Sequence, residues 1–278
     1  MSGRKRKKKS PYPILYWSHS SLLAYLRNPL AWYKRYVKKI YDTPRTPSSI
    51  IGSAGHVALE HFYSGVPKET AILLGLEYMR SIPDFEVAFG KAVSVRAKKK
   101  KRLHMEQDYL QAVNHYLERP PRHRVLGVEV KGMAKIPRVA LPIKAVSDLV
   151  VHSKEKRGAL DIVDHKFVDT YSSARESKPA FVLQAIFNYY TVRAYYEKPV
   201  HRFIVYECKK SKNKDGSPQL RRYVLRYEEL REMFALFERL LKDATVEISR
   251  RKTFLPNPSD MFEGDHSFEL YRLGLLDD

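Results

Sequence analysis

Cysteine is almost missing from this sequence of 278 residues, where Cys208 stands alone. One thiol excludes an intrachain disulfide and any metal site built from thiolates only, and it fits a reducing compartment. Long apolar runs are missing too: none approaches the roughly 18–20 residues that a membrane-spanning helix needs. The basic start, Arg4–Lys9, leads into no apolar stretch, so it is not a secretory signal, and an intracellular protein is expected. Acidic residues are scarce, with 31 Asp and Glu against 51 Lys and Arg and a net charge of +20. Two runs, Arg4–Lys9 and Lys98–Arg102, carry no acid at all, yet the rest of the chain stays positive without them. Such a chain repels itself, and a polyanionic partner is the usual reason to tolerate that. Nucleic acid comes first; an anionic membrane surface comes second, since no amphipathic anchor accompanies the charge. Hydrophobic residues at 44% and aromatics at 12% supply a core and exclude a wholly disordered chain.

Residues 1–13 read as a basic, flexible tail, and 14–278 as one domain. That domain divides into a mainly helical part (14–120), an α/β core (121–250) and an irregular tail (251–278). Leu22, Tyr25, Leu26, Leu30 and Tyr33 recur at helical spacing after the capping candidates Ser18 and Ser20. Pro29 kinks this helix or divides it. Further helices are expected over 51–63, 69–80 and 86–118, with an interruption near Pro83. The pattern then changes to alternation and β-branched residues. Strands are expected at 124–131, 134–140, 143–152 and 158–166, the middle two as a hairpin around Pro142. A helix over 179–197, strands at 201–208 and 219–226, and a helix over 227–250 follow. This order gives an α/β fold: a sheet flanked by helices, with an N-terminal helical cap.

Two carboxylates and a lysine stand out for chemistry. Asp164 and Lys166 are two apart on a strand and share a face, with His165 pointing away. Asp148 lies beside them if its strand pairs with theirs. Carboxylates can hold a hard divalent cation, which lowers the pKa of bound water, and a lysine can place that water beside a phosphate. An arbitrary Asp-x-Lys is most often a solvated ion pair, but Asp164 closes the apolar run Leu160-Asp-Ile-Val, where a buried charge needs a reason. His56 and Glu60 are four apart on one helix face, after the small residues Gly52, Ser53, Ala54 and Gly55 that permit close approach. Glu129 adds a carboxylate on a neighbouring strand. The basic run Lys98, Lys99, Lys100, Lys101 and Arg102, with aromatics around Tyr33, Tyr36 and Tyr41, could track a nucleic-acid strand.

These residues, in this order, resemble the RecB-type branch of the PD-(D/E)XK nucleases, a branch that includes CRISPR-adaptation nucleases and phage exonucleases. The resemblance runs from Ser18 to Tyr189. It rests on Ser18-His-Ser20-Ser-Leu22 through Asn28-Pro29, on the Gly-x-x-x-His-x-x-Leu-Glu element ending in His56, Leu59 and Glu60, on Glu129, on Asp148, on Ile162-Val-Asp164-His-Lys166, and on Gln184. It implies a restriction-endonuclease-like mixed sheet flanked by helices. It implies a DNA exonuclease of recombination, repair or replication, with a structure-specific endonuclease or a non-catalytic nucleic-acid-binding subunit as the alternatives. His56, Asp148, Asp164 and the backbone carbonyl of His165 would hold Mg²⁺ or Mn²⁺. Asp148, Asp164 and Lys166 would be catalytic, and Gln184 would orient the lysine or the DNA. DNA, single-stranded or at duplex ends, would be the partner, with a second protein in a recombination or replication complex. The place of action would be cytoplasmic, nucleoid-associated, or a host cell if the protein is viral. Two departures stand against the branch pattern. Asn28 replaces the first cluster cysteine and 254–278 hold none, so no iron–sulfur cluster is expected. Asn188 stands where the branch has tyrosine, with Tyr189 next to it.

Overall fold

The computed structural model describes residues 10–41, 43–172, 174–214 and 219–257, and the side chains of all these except 174–180. The basic tail Arg4–Lys9 and the stretch 258–278 lie outside the described residues. The chain falls into two compact units. The first is built from the segments up to Tyr41, Met133–Ala145, and from Glu232 onward; the second from Asp42–Gly132 and Val146–Arg231.

In the first unit, α1 (His19–Arg27) starts where Ser18 Oγ accepts the Ser21 amide at 3.2 Å. Asn28 ends it and caps α2 (Pro29–Trp32), accepting from the Ala31 amide at 3.0 Å, so Pro29 divides the helical run. A π-helical turn, Tyr33–Val37, follows. Trp17 and Trp32 are fully buried and stack with centroids 5.7 Å apart. Each indole N–H has an acceptor: Thr245 Oγ1 on α7 (Arg231–Arg250) at 3.0 Å, and Ser21 Oγ at 2.9 Å. Phe254 stacks on Tyr33, and the Leu30 amide donates to the Leu255 carbonyl.

In the second unit, Thr46 caps α3 (Pro47–Tyr63), and α4 (Lys68–Ser81) packs against it. The expected helix over 86–118 is shorter. A 3-10 turn at Asp84–Glu86 and irregular chain come first, and α5 (Val95–Glu118) begins where Ser94 Oγ accepts the Ala97 amide. The polar N-cap sets that start, not the apolar residues before it. The sheet runs β1-β2-β3-β4-β5: β1 (Val125–Ala134), β2 (Ile143–His152), β3 (Leu160–Val168), β4 (Val200–Lys209) and β5 (Leu220–Arg226). Here 135–140 is not a strand, since β1 ends at Ala134. It is the connection from β1 to β2, with Pro137 and Pro142 at its bends, so β1 itself is the neighbour of β2. Strands β2 and β3 are antiparallel, β3 and β4 parallel through the crossover helix α6 (Ala174–Tyr196), and β4 and β5 antiparallel. A mixed sheet flanked by helices is the result.

Strand β3 is buried along nearly its whole length because it is covered on both faces. Val163 and Phe167 join a core with Ile50, Ala54, Met79, Tyr109 and Val113 from α3, α4 and α5. Asp164, alternating with Val163, turns to the opposite face, where Gln184 of α6 meets it.

Candidate active site

The approach of α3 to β3 brings the first imidazole in. A Cβ placed on Gly55 would lie 2.2 Å from the Phe167 ring, so only glycine lets the helix lie so close. Gly52 has open space around it and has no such role. The next residue, His56, has its Nδ1 3.3 Å from Asp148 Oδ2. That same oxygen accepts the His165 amide N–H at 2.7 Å, with His165 Nδ1 3.4 Å away. Asp148 and Asp164 come to the same level because Leu149 pairs with Val163 across the antiparallel strands.

Glu129 arrives by a different route. Its φ is +48°, in the left-handed region, in the middle of β1. Local reversal of this kind breaks strand alternation and re-aims the side chain. Ligand atoms of His56, Glu129 and Asp148 lie within 4.8 Å of one another. Asp164 stands outside that trio. Its Oδ1 accepts from Gln184 Nε2 at 2.6 Å, and its Oδ2 is 2.8 Å from Lys166 Nζ. The latter contact is an ion pair without hydrogen-bond geometry, which leaves the buried Oδ2 with unused acceptor capacity.

The electrostatics are those of a crowded anionic site. Burial and the neighbouring Asp148 push Glu129 up to about 7. Burial also raises Asp164, partly opposed by Lys166. For Asp148, burial works upward, but His56 and His165 prevail and hold it well below the ordinary carboxylate range. Burial alone would lower His56; Asp148 outweighs it and lifts the imidazole to about 9. Lys166 is raised as well, burial being overcome by Asp164 and Asp148. One imidazole and two or three carboxylates form a donor set that suits a divalent metal.

Behind the site, His165 is 2% exposed, with Nε2 2.8 Å from Tyr116 Oη, and its ring stacks between Tyr63 and Tyr206. The packing fixes the backbone on which Asp164 and Lys166 sit. Sequence reading has Glu129 beside the cluster as a further carboxylate, not as a metal ligand, and has no sign of these tyrosines beyond the spacing of Tyr109, Val113 and Tyr116. Tyr189 packs on Tyr227 with centroids 4.8 Å apart and accepts from Arg193, so it has a place in the packing of α6. The basic run splits in two. Arg102 pairs with Asp84 and donates to the Ile82 carbonyl, and Lys101 donates to the Phe89 carbonyl, while Lys99 and Lys100 are exposed. Lys98 lies over the Phe89 ring.

Among known families, that described as the PD-(D/E)XK nuclease superfamily matches over residues 16–261. None of the curated proteins matches. Of solved structures, a "Putative exonuclease" from Eubacterium rectale is 9% identical, covering 93% of this chain and 91% of that chain, with a TM-score of 0.54. That likeness is one of fold. The crystal structure of SSO0001 is 15% identical over 82% of this chain and 84% of its own, and its TM-score of 0.30 carries no argument. Among the described residues, no helix is long and apolar enough to cross a membrane.

Proposed function

Because the chain belongs to the PD-(D/E)XK nuclease superfamily, we propose that it is a divalent-metal-dependent deoxyribonuclease that degrades DNA from an end, in recombination, repair or replication. The observation that carries this reading is the convergence of His56, Glu129 and Asp148 beside the Asp164–Lys166 pair. His56, Asp148, Asp164 and the His165 carbonyl would hold Mg²⁺ or Mn²⁺, and Glu129 is a further candidate ligand. A bound divalent cation would supply an acidified water and offset charge on the phosphate. The chain's own residues do the positioning. Gln184 holds one oxygen of Asp164 and so aims the other. The Lys166 ammonium, anchored to Asp164, presents positive charge where a phosphate oxygen gains negative charge in the transition state. His165, clamped by its tyrosines, keeps the strand end from shifting as substrate binds. The end-directed reading draws support from the E. rectale neighbour's description.

The test is linear, end-labelled single- and double-stranded DNA beside covalently closed circles, each with Mg²⁺, Mn²⁺ or EDTA. Linear DNA should be shortened from its ends with either metal and spared in EDTA, and Asp164→Ala should abolish cleavage while DNA binding persists. Cleavage of closed circles would instead make it an endonuclease. Cleavage by a clean Asp164→Ala preparation would overturn the mechanism.

A further inference from the structure

A second polar site lies in the second unit, away from the carboxylates. The chain entering β1 and the adjoining parts of β2, β3, β4 and β5 surround a cavity of about 260 Å³. Asp161 in its wall precedes Asp164 by three residues on β3, which at about 3.3 Å per residue puts it roughly 10 Å away along the strand. Arg122, Lys154, Arg202 and Arg222 line the cavity, and among the described residues Asp161 is the only acid that does.

These charges are not equally free. Buried Arg202 binds Asp161 Oδ2 at 2.5 Å and pairs with Glu155, which Arg226 also pairs, so these four charges cancel, while the buried Asp161 Oδ1 accepts no hydrogen bond. Lys154 Nζ uses one N–H on the Arg122 carbonyl. Among the described residues, the exposed guanidinium groups of Arg122 and Arg222 make no hydrogen bond or ion pair. Arg222 is paired with Tyr206 across β4 and β5, so both present their side chains on the same face of the sheet. The His123 ring meets Tyr206 edge-on at 5.9 Å. His123 Nε2 is buried without a hydrogen-bond partner, an arrangement that proteins rarely leave uncompensated. Burial, with repulsion from Lys154, pushes its imidazolium down to about 4, so the ring adds no charge to the cavity at neutral pH.

Two unpaired guanidinium groups and an ammonium with N–H groups to spare around one small space suit a tetrahedral oxyanion. Guanidinium forks match phosphate in geometry as well as charge. The space exceeds what a phosphoryl group needs, and Val151, Ile204 and Tyr206 give it an apolar side against which a sugar can rest. Its buried floor of Asp161, Arg202 and Ile204 suits a chain end or a mononucleotide better than a strand passing through. We propose that this cavity is a phosphomonoester-binding site separate from the metal site, in which Arg122 and Arg222 clasp the phosphoryl oxygens and the Lys154 ammonium adds a third positive charge. The group is that of a free nucleotide or of a strand end. The inference goes beyond the nuclease reading and stands without it, since binding needs neither metal nor cleavage.

The experiment is calorimetric titration of the full chain in EDTA with deoxythymidine monophosphate, thymidine, and a hexanucleotide with and without a terminal phosphate. The monophosphate should bind saturably at one site and thymidine should not. R122Q/R222Q, altering two exposed side chains, should weaken binding by about tenfold or more, in line with losing charge-assisted hydrogen bonds. Asp164→Ala should bind the monophosphate as the wild type does, whatever becomes of DNA cleavage. A terminal phosphate that adds affinity through the two arginines assigns the site to strand ends; binding of the mononucleotide alone assigns it to free nucleotide. No saturable binding, equal binding by R122Q/R222Q, or loss in Asp164→Ala would overturn the proposal.

Discussion

Glu129 holds a backbone conformation that side-chain-bearing residues avoid, at a cost of about 1–2 kcal/mol for an L-residue in the left-handed region. The strain sits where it delivers a carboxylate to His56 and Asp148, which ties it to the site and not to the sheet. Glu129→Gly should therefore raise stability by up to about 1 kcal/mol, read from the denaturant midpoint, because glycine accepts this φ freely. It should at the same time raise the Mn²⁺ concentration needed for half-maximal cleavage. Glu129→Gln should share the metal defect without the gain in stability. The legibility of individual residues follows the same line. His56, Asp148, Asp164, Lys166 and Gln184 could be singled out as candidates by residue type, spacing and the family resemblance, and the structure brings them near one another. The part played by Glu129 depends on a reversal of φ at a position with no glycine or asparagine to announce it.

At the scale of elements, α5 carries both structural and free charges within one short run. Arg102 closes the Ile82–Asp84 segment against the helix, and Lys101 does the same for Phe89, while Lys99 and Lys100 reach solvent. Arg102→Ala should lower stability by about 1–3 kcal/mol through a lost ion pair and an unsatisfied carbonyl. K99Q/K100Q should leave stability within about 0.5 kcal/mol of wild type and weaken DNA binding instead. Equal DNA affinity for wild type and K99Q/K100Q, by filter binding, would remove α5 from the nucleic-acid surface. Periodicity alone could not make this division, since it reads charge as solvated. It also overextended the helix back to 86, because Val87, Phe89 and Val93 resemble a helical stripe until the cap at Ser94 is considered. Residues 135–140 misled for the opposite reason. Their apolar members, Ile136 among them, are buried by a connection between strands, and burial of that kind leaves the same alternating mark as a strand.

At the scale of the whole chain, the charge of +20 shapes how nucleic acid is met before any specific contact forms. Binding to DNA in EDTA should fall on the order of a thousandfold between 50 and 200 mM salt if about six or more phosphates are neutralised. A flat response in an affinity-against-salt series would mean that the charge serves another purpose. The mixed sheet was legible at this scale because its buried strands are long and apolar. The division into two units was not, since the first draws on three separate stretches of chain.

That discontinuity bears on the protein's birth at the ribosome. The second unit is complete once Arg231 has emerged, and it includes His56, Glu129, Asp148, Asp164, Lys166 and Gln184. The first unit must wait. Trp17 finds its acceptor only when Thr245 is made, and Tyr33 its stacking partner only with Phe254, more than two hundred residues later. During synthesis Trp17 and Tyr33 remain without these partners while the residues of the candidate site are already together. The nascent chain thus completes the unit that holds the candidate site before the unit that holds its two tryptophans.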